Sequence, residues 1–147
     1  MRDTAASLEA LRQQIGEGRF QRGLALAAAF FAILSGGEAY FEHMRGSFNQ
    51  RLMWTPVWLT SPIVAAAAGA FYSERIAKSV LPLVSALTLL DGLLGFYLHL
   101  RGIRRMPGHF RNLLFNITIG PPLFAPLLFC AVGLIGILAA FLRREEL

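Results

Sequence analysis

Four apolar runs separated by polar connections set the pattern of this chain, at about residues 23–41, 56–72, 80–100 and 121–141. A helix needs about twenty mostly apolar residues to cross a hydrocarbon core, so each run predicts a membrane span. The run from Val80 to Leu100, VLPLVSALTLLDGLLGFYLHL, organises the others because it carries a carboxylate, Asp91, near its middle. An ionisable group at that depth costs roughly 2.5–3.5 kcal/mol on insertion scales and normally faces a partner or a cavity. Around it, Ser85, Thr88, Gly92, Gly95 and His99 fall within an arc of roughly 80°, with Asp91 about 40° beyond its edge. Small and polar residues on one stripe are how a membrane helix packs against others.

Ahead of the first run, residues 1–22 are polar, but Leu8, Leu11 and Ile15 recur at helical spacing. That predicts a short amphipathic helix on the membrane surface. The first run ends in Ser35-Gly36-Gly37-Glu38, and helical geometry puts Ser35, Glu38 and Glu42 within roughly 60° of each other. Trp54-Thr55-Pro56 reads as a helix start with an interfacial tryptophan, and Ala65–Ala70 offers small residues for close helix approach. The connection 101–120 is too long to be structureless in a compact domain, which predicts an interfacial helical piece through Leu113, Leu114 and Phe115. Residues 143–147 form a short tail. The expected fold is all-α: an integral membrane four-helix bundle over 23–142 with the surface helix in front of it.

Composition sharpens the same picture. Hydrophobic residues make up 55% of the 147 and charged ones only 16%, below the quarter usual in soluble domains. The net charge of +5 does not point to nucleic acid, because the arginines sit in the short segments between apolar runs, where lipid headgroups meet them. The expected partner is the lipid bilayer, together with other membrane subunits or a second copy of the chain. Four spans place both tails with the 73–79 connection, carrying Arg2, Arg12, Arg19, Arg22, Arg75, Lys78, Arg143 and Arg144. The other side carries Arg45, Arg51, Arg101, Arg104, Arg105 and Arg111. The positive-inside rule then favours cytoplasmic termini in a bacterial inner membrane. Cys130, the one cysteine, lies inside an apolar run and reads as a core residue.

The candidate chemistry gathers at one end. His43, His99 and His109 all fall there, with Glu38, Glu42 and Arg101, while Asp91 lies below them. Three readings compete for this cluster. The carboxylates and arginines could be ties between helices. His43 and His99 could hold a metal or the iron of haem b, since paired histidines are the habit of membrane b-type cytochromes. Glu38 and Asp91 could line a proton or solute path. A binding site would draw on Glu38, Glu42, Asp91, Arg101 and His109. Asp91 itself is expected to keep its proton and to hydrogen-bond a hydroxyl such as Ser35 or Thr60. No catalytic motif appears, so the expected role is a non-enzymatic subunit or accessory module of a membrane assembly.

Overall fold

The computed structural model describes residues 2–142; the tail 143–147, with Arg143 and Arg144, lies outside the described residues. Every regular element among them is helical. Helix α1 (Arg2–Gly16) leads into α2 (Arg19–Arg45), and a 3-10 turn at Arg51–Trp54 opens α3 (Thr55–Tyr72). Helix α4 (Glu74–Arg104) is the longest, at 31 residues. A second 3-10 turn, His109–Asn112, and the short α5 (Leu113–Ile119) precede α6 (Ala125–Phe141). Three segments are long and apolar enough to cross a membrane: Arg19–Arg45, Arg51–Tyr72 and Glu74–Arg104. Helix α6 is apolar but has 17 residues. It starts later than its apolar run, at Ala125, which puts Pro126 in the first turn, where its missing N–H breaks no helix bond.

Helix α2 packs on α3 and α6, and α4 packs on α3 and α6, so the four pairings close a ring. Its interior is built from small side chains. Ala25, Ala28, Ala32, Ala66, Ala67 and Ala70 are buried, whereas Phe30, Phe31, Leu34, Leu90 and Leu134 stand exposed on the perimeter. A soluble bundle does the reverse, because water drives its large apolar groups inward. Small inward residues let backbones approach closely, which suits packing in a medium as apolar as the side chains. At Gly36 the α2–α3 approach leaves no room for a side chain, since a Cβ would stand 2.0 Å from Thr60 Oγ1. The α4–α6 seam is equally tight: a Cβ on Gly92 would meet the Cys130 backbone nitrogen at 2.7 Å. Buried Cys130 belongs to that seam.

Leu8 and Leu11 on α1 remain 62% and 41% exposed, so the ring does not cover the apolar face of this helix. Between α1 and α2 the chain turns at Gly18, whose φ of 70° is in the left-handed region that glycine adopts without strain. Arg19 and Gln13 both bond Glu17 beside that turn, and the Arg19 guanidinium holds the carboxyl below its ordinary value. A depressed carboxyl stabilises above its ordinary value of 4.5 and loses the effect as pH falls through the lowered one. Spin labels at Ala10 and Leu24 are therefore expected to show a broader distance distribution in strong acid. A distribution that does not broaden when Glu17 is replaced by Gln would remove Glu17 as the tie.

Candidate site at the histidine end of the bundle

The antiparallel run of α6 along α4 fixes the site. Pro126 meets Gly95, and Cys130 meets Gly92, while Gly133 and Gly136 meet Ser85. The C-terminal ends of α2 and α4 and the start of α6 therefore come together. A cavity of about 390 Å³ opens between them. Such a volume lies within the roughly 300–1,000 Å³ of small-molecule and cofactor sites. His43 of α2 and His99 of α4 face each other across its outer part, with ring centroids 6.3 Å apart and planes at 87°. Asp91 lines the inner part, two helical turns and about 12 Å below His99.

The connection from Gly46 to Trp54 does not stay outside the bundle. Leu52 and Met53 line the cavity, and Thr55, the first residue of α3, reaches Asp91. Irregular backbone at this depth is tolerable where it faces protein or a cavity. Ser47 and Phe48 have φ of 57° and 45°, a strained choice for residues with a Cβ. That turn stacks Phe48 on Trp54 at 3.9 Å and sets its ring edge-on to His43. The strain is offset by an aromatic wall that fixes the His43 side of the site.

Asp91 does not find the partners the sequence suggested. Ser35 donates to the Phe31 carbonyl and Thr60 to the Pro56 carbonyl, so both hydroxyls are taken by their own helices. The Thr55 hydroxyl lies 2.5 Å from Asp91 Oδ1 and 2.9 Å from the Leu52 carbonyl. One hydroxyl proton cannot serve two acceptors. Both are satisfied when Thr55 donates to Leu52 and Asp91 supplies the second proton.

The structure divides the remaining candidates. Glu42 lines the cavity and pairs with Arg45 on its own helix. Arg101 lines the mouth beside Arg105, which the sequence reading passed over. Their four-residue spacing, with Arg105 directly after the end of the helix that carries His99 and Arg101, was the available signal. Glu38 departs from expectation: it is exposed on the outer face of α2, because Ser35, Gly36 and Ala39 take the inward line. It shares no wall with Asp91. His109 is exposed too, with its Nδ1 against the Arg104 carbonyl, and sits over a shallow depression formed with Arg101, Arg104, Arg105 and Phe110. Asn116 is buried and donates to the carbonyls of Pro107 and His109, which folds this connection onto itself. Leu114 and Phe115 project from α5 at 83% and 62% exposure, as an interfacial piece would.

His99 Nδ1 is 2.8 Å from the Pro122 carbonyl, an atom that only accepts, so this nitrogen carries a proton and Nε2 is the ring nitrogen that can serve as a ligand when the imidazole is neutral. His43 Nδ1 is buried without a hydrogen-bond partner. Among the described residues no group of three or more histidine, cysteine or acidic side chains could hold a metal ion. No protein-family model, curated protein or solved structure matches the chain. The geometry of the cavity is therefore the ground for a functional reading.

Proposed function

We propose that this chain is a four-span protein of the bacterial inner membrane, with cytoplasmic termini, that holds a small molecule at the histidine end of its bundle. Helix α6 is the fourth span in this reading, completed by the apolar residues ahead of it. The protein acts as a non-enzymatic subunit of a larger membrane assembly. The observation that carries the reading is the cavity of about 390 Å³, where the half-buried Glu42, His43, Asp91 and His99 converge. The outward carboxylate of Glu38 supports the assembly. It stands among Leu34, Phe41 and other exposed apolar side chains and has no basic partner within the described residues. A carboxylate there is costly against lipid and is relieved by a polar or basic group from another chain.

A bulky side chain in the cavity separates binding from folding. Ala39 lines the cavity from α2, and Ala39→Phe is expected to fill it while leaving the α2–α3 contact at Gly36 intact. Extraction of the purified protein followed by mass spectrometry should find a small molecule at near one per chain in the wild type and depleted at least tenfold in the variant. Equal recovery from both would sink the cavity as the binding site. The Glu38→Leu variant tests the assembly through the size of the complex in mild detergent, where dissociation is expected.

A further inference from the structure

We infer that the molecule held at this end is haem b, its iron ligated axially by His43 and His99. This deepens the cavity reading above and rests on it. Two imidazoles on opposite sides of one metal, each with a metal–nitrogen bond of about 2.0–2.1 Å, place their ring centroids about 6.2 Å apart. The observed separation is 6.3 Å. The histidines sit on different helices, 56 positions apart in sequence, so nothing local to the chain imposes that spacing.

The number of protein ligands decides between a bare ion and a haem. A structural metal ion takes about four protein ligands, and among the described residues the two imidazoles have no third histidine, cysteine or acidic side chain grouped with them to hold one. A haem brings four equatorial nitrogens of its own and asks the protein for the two axial ones. The tautomer agrees with this. The Pro122 carbonyl holds the proton on His99 Nδ1, an outer contact of the kind that orients a metal-ligating imidazole.

The walls suit a flat, mostly apolar macrocycle with two acidic arms. Leu94, Leu98, Pro126 and Phe129 supply apolar surface, and Gly92 and Gly95 let α6 lie close enough to bring Pro126 and Phe129 to the cavity. Arg101 and Arg105 stand at the mouth, exposed and unpaired with any acidic residue among those described. Two propionates directed outward would meet these two guanidiniums, which favour carboxylates through paired hydrogen bonds. Glu42 does not compete, because Arg45 already neutralises it. Charge complementarity thus orients the macrocycle with its propionate edge at the mouth.

The experiment is a visible spectrum of the full chain, produced with ample haem supply and purified in mild detergent, followed by titration of haem into whatever fraction is empty. The expected result is one haem per chain, with the Soret band and sharp reduced α-band of low-spin iron. His43→Ala and His99→Ala should each abolish the low-spin signature, and added imidazole should restore it. Joint replacement of Arg101 and Arg105 by Gln should weaken haem binding at least tenfold while the low-spin spectrum of the bound fraction stays unchanged. A helical, monodisperse wild-type protein that is colourless and takes up no added haem would overturn the inference. So would a spectrum indifferent to both histidine variants. Should those variants fail to fold, the titration of the wild type still decides. If haem fails but another molecule is recovered that Ala39→Phe excludes, the cavity reading stands and only its ligand was wrong.

Discussion

Gly133→Leu is expected to destabilise the bundle by about 3 kcal/mol, at the upper end of the cost of overpacking. A Cβ at Gly133 would stand 2.7 Å from both the Leu89 nitrogen and the Ser85 oxygen. Those are backbone atoms, so no rotamer change can relieve the contact. The two helices must separate, and α4–α6 is the interface that also places Pro122 against His99. Thermal unfolding in detergent should shift down by about 10 °C. Gly23→Leu is the matched control, because a Cβ there meets nothing within 4 Å. It should be neutral or slightly stabilising, since leucine is the better helix former. Equal effects at the two positions would show that the small-residue seam is not what holds α4 to α6.

Asp91→Leu is expected to cost about 1–2 kcal/mol, while Asp91→Asn retains wild-type stability. The asymmetry follows from the proton count around Thr55. An asparagine amide can still donate to the Thr55 oxygen, whereas leucine leaves that oxygen with an empty acceptor position. The Thr55 hydroxyl keeps its bond to the Leu52 carbonyl either way, which caps the penalty. Thr55→Val should reproduce most of the Asp91→Leu effect, and the double variant should fall well short of the sum. Strict additivity would mean that the 2.5 Å contact between the two carries no energy. A stable Asp91→Asn protein that no longer retains its bound molecule would instead assign Asp91 to the ligand.

The sequence by itself determined the helical class and the position of each long apolar segment, because a run of apolar residues has one cheap solution in an apolar medium. It also led, from the alternation of four apolar segments, to the expectation that the histidines, Glu42 and Arg101 lie at one end, where the structure brings His43, His99, Glu42 and Arg101 around one cavity. It placed the stripe Ser85, Thr88 and Gly92 on a packed face, and all three are buried. What the sequence did not determine is which side of a helix faces a neighbour when polar residues occur on several sides. Glu38 and Ser35 share an arc on paper, yet a rotation of α2 that seats Gly36 on Thr60 turns Glu38 outward. Only tertiary structure decided that Thr55 reaches Asp91, because a connection that dips into the bundle looks the same in sequence as one that stays outside. The same holds for His43 and His99. Their common depth follows from counting residues, but a ring separation of 6.3 Å depends on how two diagonal helices lean, which the packing of α3 and α6 between them sets.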